Sequence, residues 1–281
     1  MTDLTVVPDT RPAAEHRGRF GDLLAGEWIK FWSLRSMPWV LGISALVVIG
    51  VDLQAGMYTY DHFPVGDPHP GSYTQVALDD SFTMTAADIL MLVTGSVGAL
   101  MIVSEYASGM IRSTLAAVPD RRAALTAKAC VLAAVTLGYG ALVAGASFGL
   151  DQAVLSGRHV GLSIGHPGAL RFVAGSALLA PVCALVGLGL GVLVRHSAGS
   201  VVATVLALFF LPAFFDDNHR WSAVVSHAMP LNAWRRLTEV DMSDFFTSHY
   251  PATVAGAWIT FAAWPLVAAV VATAVVQRRD L

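Results

Sequence analysis

Seven of the nine histidines, His62, His69, His159, His166, His219, His227 and His249, fall in polar segments that also carry aspartates. Imidazole and carboxylate together are the donors of metal and hydrolytic centres, so an enzyme reading would begin there. Their spacings match no compact ligand motif, and no H-E-x-x-H helix is present. Ser-His-Asp sets can be drawn from such segments in many ways, so no catalytic residue and no metal ligand is assigned. Phosphate chemistry fares no better. A nucleotide-cradling loop needs Lys in the frame G-x-x-x-x-G-K-[ST], and the two lysines, Lys30 and Lys128, both lack the preceding glycine. No cofactor is therefore expected in this chain. If ATP drives it, another chain binds the ATP and its magnesium. Asp52, Asp88, Asp151 and Asp216 sit near the ends of apolar runs, and mid-run carboxylates, which mark proton- and sodium-coupled carriers, are missing. Cys130 and Cys183 lie within apolar runs and read as buried thiols.

The remaining chemistry is that of binding. Residues 104–128, SEYASGMIRSTLAAVPDRRAALTAK, form the longest polar break between apolar runs that also clusters positive charge. The flanking runs, 86–103 and 129–150, are long enough to cross a bilayer, so the break joins two spans on one side. Its pattern predicts a short helix from Glu105 to Val118, a stop at Pro119, and a second start with Asp120 as N-cap ahead of Arg121 and Arg122. Such a bent, basic elbow suits a partner.

The elements that position it follow from composition. Hydrophobic residues are 55% of the chain and charged residues 13%, against roughly 25% charged in soluble proteins. The chain is read as an all-α polytopic membrane protein. Residues 1–19 read as a disordered tail. Over 20–36, Phe20, Leu24, Trp28, Phe31 and Trp32 share one helical face, with Asp22, Gly26, Lys30 and Ser33 on the other, which predicts an amphipathic helix lying in the interface. Six spans are expected, at about 38–57, 86–103, 129–150, 172–194, 198–215 and 252–276. They form one transmembrane domain, followed by a short terminus at 277–281. Residues 58–85 and 151–170 read as loops, Arg195-His196 as a tight turn, and 218–251 as a re-entrant or interfacial segment in which Leu231, Trp234 and Leu237 share a face. Gly145-x-x-x-Gly149 and Gly187-x-x-x-Gly191 have the spacing that lets helices approach closely, within the subunit or in a dimer.

Ten Lys and Arg side chains near span ends fall on the side of the elbow and both termini, and five fall on the other. Positive charge stays in the cytoplasm, so the elbow and the termini are expected there.

The runs E-W-x-K-x-x-S-L-R-S (27–36), S-E-Y-x-x-G-M-I-R-x-T-L-A-A-x-P-x-R (104–121) followed by Lys128, and the terminal R-R-D resemble ABC-2-type permeases of actinobacterial type. The resemblance implies the membrane subunit of an exporter in the bacterial plasma membrane. Its partners would be an ABC-type ATPase subunit and a second permease, as homodimer or heterodimer, within the lipid bilayer; no nucleic acid is expected. The resemblance also implies that the helix beginning at Glu105 couples to the ATPase, with Gly109, Arg112, Thr114, Leu115, Pro119, Arg121, Arg122 and Lys128 carrying the contact. Residues 20–36, with Glu27, Trp28, Lys30 and Arg35, would be the connecting helix, and Glu105 would pair with a basic residue of that helix. Two other readings stand beside it: a membrane enzyme with a His/Asp-rich outer site, and a regulatory membrane subunit that transports nothing.

Overall fold

The computed structural model describes residues 19–62, 73–109, 121–216, 219–240 and 250–278, and these form helices without a strand. In lipid an unpaired backbone amide has no water to turn to, so uninterrupted apolar sequence satisfies itself as helix. α1 is Phe20–Ser33, opened by Asp22, whose carboxylate accepts the Arg19 N–H. α2 is Ser36–His62, α3 Thr74–Ser81, α4 Met84–Ala107, α5 Arg121–Ser156 and α6 Ala169–Val194. α7 covers Ser197–Ala213 and contains a π turn at Leu206–Phe210. Two short helices, α8 (Arg220–His227) and α9 (Pro230–Thr238), precede α10, Val254–Arg278.

Five helical stretches are long and apolar enough to cross a membrane: α2, α3 with α4, α5, α6 and α10. The stretch expected as the fifth of six spans is α7, which at 17 residues is shorter than the other five. At 1.5 Å per residue it reaches about 26 Å, against a hydrocarbon core of about 30 Å.

α4 and α6 make the centre, with α5 against α6 and with α2 and α10 outside. Glycine makes this possible. A Cβ on Gly98 would stand 1.9 Å from the Ala184 carbonyl oxygen, and one on Gly187 would stand 2.0 Å from that of Gly95. Only hydrogen at those positions lets the two backbones meet, as in small-residue packing generally. The second glycine pair expected from sequence, Gly145 and Gly149, has nothing within 4 Å and faces outward. Large apolar side chains such as Trp39, Leu46, Val202, Phe210, Ile259 and Leu266 are exposed on the outer helices, a surface suited to lipid.

One loop expectation is corrected. α2 runs on to His62 and α3 forms within 58–85, because Ala77, Leu78 and Phe82 find a buried apolar seat against α2 and α5. In 218–251, Leu231, Trp234 and Leu237 are buried together, as their spacing predicts, and Trp234 Nε1 donates to Ser176 Oγ at 3.1 Å. Arg171 on α6 then fastens the end of α9, donating to the Leu237 carbonyl at 3.0 Å and to that of Glu239 at 2.6 Å.

Candidate functional site

The two ends of the elbow are anchored by one group of four charges. Lys128 belongs to α5, two turns beyond its start at Arg121, and is 4% exposed. Its ammonium donates to Glu27 on α1 and to Glu105 on α4, the latter at 2.8 Å. Lys30, one turn from Glu27 on α1, donates to Glu27 at 2.7 Å and to Glu105 at 3.4 Å. Two carboxylates and two ammoniums thus close a neutral ring among three helices. A lone buried charge would cost several kcal/mol; here each has two opposite partners. Around Lys30, burial alone would lower the pKa, but the neighbouring Glu27 and Glu105 outweigh it and hold the pKa above the ordinary lysine value.

α1 reaches this ring because it has two different working faces. Glu27 and Phe31 point into the protein, and Phe31 is 1% exposed. Trp28 and Trp32 stand edge to face 5.8 Å apart on the exposed side, with Ile29 beside them, where indole rings suit the headgroup layer. The wheel that grouped Phe31 with the tryptophans therefore joined a core residue to two interfacial ones. Arg35, in the turn to α2, is exposed.

Glu105 meets the expected basic residue of the connecting helix in Lys30, but it does not begin a separate helix. It lies in the last turn of α4, which ends at Ala107. Past the expected end at Val103 the helix continues through Ser104, Glu105 and Tyr106, where Glu105 is held by Lys30 and Lys128 and Tyr106 lies under Arg195. Gly109 follows with φ +69°, a left-handed turn that glycine takes without strain. Lys128 also departs from expectation, since it stands inside a helix and is buried rather than marking the edge of a loop. Arg122 is exposed on the first turn of α5, and Arg121 opens that helix. Arg112, Thr114, Leu115 and Pro119, together with the predicted helix to Val118, lie outside the described residues.

A second clamp escaped the sequence reading. Arg195, the residue after α6, has φ 56°, and its guanidinium lies over the Tyr106 ring at 5.0 Å, a cation–π contact next to Glu105. His196 then caps α7 by accepting from Gly199 N–H. The one available signal was the Arg-His break between two apolar runs. The four charges tie the roots of α1, α4 and α5 to one another.

The expected solvated histidines form no metal cluster with other His, Cys, Asp or Glu among the described residues. Residues 23–212 match the family model described as ABC-2 family transporter protein. No curated protein matches the sequence.

Proposed function

Since the chain belongs to the ABC-2 family of transporter proteins, and is thus a multi-pass membrane permease of an ABC transporter, we propose that it forms the export pathway and is driven by a separate ATPase docking on the elbow at 104–128. Membership points to a transporter rather than an enzyme and implies association with an ABC ATPase. The finer reading is that the elbow and both termini face the cytoplasm of a bacterial cell, that α7 completes six spans, and that two permeases pair around the pathway. ATP and magnesium are then bound by the partner alone.

The observation that carries the docking site is the ring of Glu27, Lys30, Glu105 and Lys128. An elbow hung between two flexible ends would absorb a partner's movement. One whose ends are tied to each other and to α1 passes it to α4 and α5 as a rigid push. In this reading Arg121 and Arg122, at the start of α5, would meet acidic groups on the ATPase, and Gly109 would supply the turn. Positive charge there also serves topology, so the test separates the two roles.

The chain is purified by affinity in mild detergent from its native host. Recovery of a P-loop ATPase in stoichiometric amount, lost when 105–122 is replaced by a neutral linker, is the expected result. Charge reversal at Arg121 and Arg122 should weaken that association and leave insertion intact. An ATPase that stays bound to the linker variant, or a chain recovered alone, refutes the proposal.

A further inference from the structure

At the end of α5 opposite the elbow, three helices bring acids together without a base. Asp52 on α2 and Asp151 on α5 are both 0% exposed, and the half-buried Asp80 on α3 is near enough to act on both through its charge. Donors reach only part of this group. Thr83 offers its backbone N–H and its hydroxyl to Asp52 Oδ1, at 2.9 and 3.0 Å. Ser81 Oγ donates to Asp151 Oδ2 at 2.9 Å, and Gln152 Nε2 donates to Ser81 Oγ at 2.7 Å. The other oxygens are orphaned: Asp52 Oδ2, Asp80 Oδ2 and Asp151 Oδ1 are buried and have no partner.

A further buried polar atom, which is not an acid, points to the same place. Ser147, one turn before Asp151 on α5, is 1% exposed, and its hydroxyl stands beside Asp52, the one acid of the group it can reach as a donor. Asp151 Oδ1 lies against Gly56, one turn from Asp52 on α2, so close that a Cβ there would meet it at 1.6 Å.

Charge decides what is missing. The charged groups acting on Asp52 and Asp151 are carboxylates: Asp80 on both, and Asp52 on Asp151. Asp79, also on α3, is held by Gln75. Arg158, in the turn just after α5, has its guanidinium over the Tyr60 ring at 4.6 Å. Buried carboxylates without a counter-charge do not stay ionised at a cost of several kcal/mol each; they take up a cation or a proton. Among the described residues no group of three His, Cys, Asp or Glu is placed to hold a metal ion.

We propose that Asp52 and Asp151, with Asp80 and Ser147, form a proton-binding site whose occupation lets α3 pack onto α2 and α5. The bound proton neutralises one of the orphaned carboxylates. Its loss leaves adjacent negative charges that push α3 away. The side from which the proton arrives rests on the orientation given above; the binding itself does not.

The test uses the full chain in lipid nanodiscs. Infrared spectra at neutral pH should show a protonated-carboxyl carbonyl band that weakens in both Asp52→Asn and Asp151→Asn. Because the packed state holds a proton that the loosened state releases, thermal stability of the wild type should fall as pH rises. Both variants, already neutral at one acid, should show a flatter profile and match or exceed the wild type at the upper end. An unchanged band with the same slope in the variants overturns the proposal. So does stabilisation by sodium or calcium that the variants lose, which would give the site to a metal ion.

Discussion

Replacing Lys128 by alanine is the sharpest test of the ring. The ammonium of this buried residue is held by Glu27 and Glu105. Its removal leaves two buried carboxylates facing Lys30, whose side chain is 36% exposed. An exposed ammonium contributes only about 0–1 kcal/mol to a pair, so Lys30 cannot replace what is lost. Taking one partner from a buried pair costs about 3–5 kcal/mol. The other strong anchor of α1 is Phe31, whose burial contributes about 1.5–3 kcal/mol. The loss exceeds the anchor, so α1 should detach while the spans stay folded. In hydrogen exchange of the nanodisc-embedded protein, amides of α1 should then exchange roughly 100- to 4,000-fold faster, with α4 and α6 unchanged. A neutral ring of similar volume, Glu27→Gln with Glu105→Gln and Lys128→Met, should restore much of the protection, because no lone charge remains. Unchanged exchange in Lys128→Ala, or a triple variant as loose as the single one, would refute the reasoning.

Gly98→Ala must push its new methyl against the Ala184 carbonyl, so it should separate α4 from α6 and cost about 1–3 kcal/mol in unfolding measurements. Gly145→Ala meets open space and should match or slightly exceed the wild type in the same assay, as alanine is the better helix former. Arg171→Met leaves the Leu237 carbonyl without its side-chain donor and the Glu239 carbonyl with only the longer bond from Arg236, at 3.4 Å; about 1–3 kcal/mol of local stability should be lost, read as faster exchange confined to α9. The Lys30 pair has a defined pH response. Its folded pKa is raised, so its contribution is complete below the ordinary lysine value of 10.5 and disappears only as pH rises through the folded value. Proteolysis of α1 should accordingly be flat across neutral pH and increase only in strong alkali; an increase near neutrality would remove Lys30 from the ring.

Much of this could be read from sequence. Apolar runs located the long helices, because in lipid the pattern needs no tertiary context, but α5, from Arg121 to Ser156, runs well beyond the expected 129–150 at both ends. Pairs of small residues were visible too, but sequence could not tell Gly187, pressed onto α4, from Gly145, which faces outward. Glu27, Lys30, Glu105 and Lys128 were all singled out, and Glu105 with Lys30 was the expected kind of pair. Their closure into a ring depends on a meeting of positions 101 apart, which spacing cannot encode. The acids Asp52 and Asp151 were misleading for a related reason. Ends of spans are usually wet, and only the folding of α3 across them, through Ser81 and Gln152, takes them out of water. The π turn of α7 left no trace in composition.

The ring also sets an order of assembly. α1 is synthesised first, yet its polar partners come later, Glu105 with α4 and Lys128 only once α5 has begun. Until then Glu27 and Lys30 have each other and water, and α1 remains at the surface. Its docking therefore signals that the helices on both sides of the elbow have been inserted. A nascent chain stopped before Lys128 should leave α1 open to protease, and one released after α5 should close it. The contact that stiffens the finished protein would then serve, during synthesis, as its check for completeness.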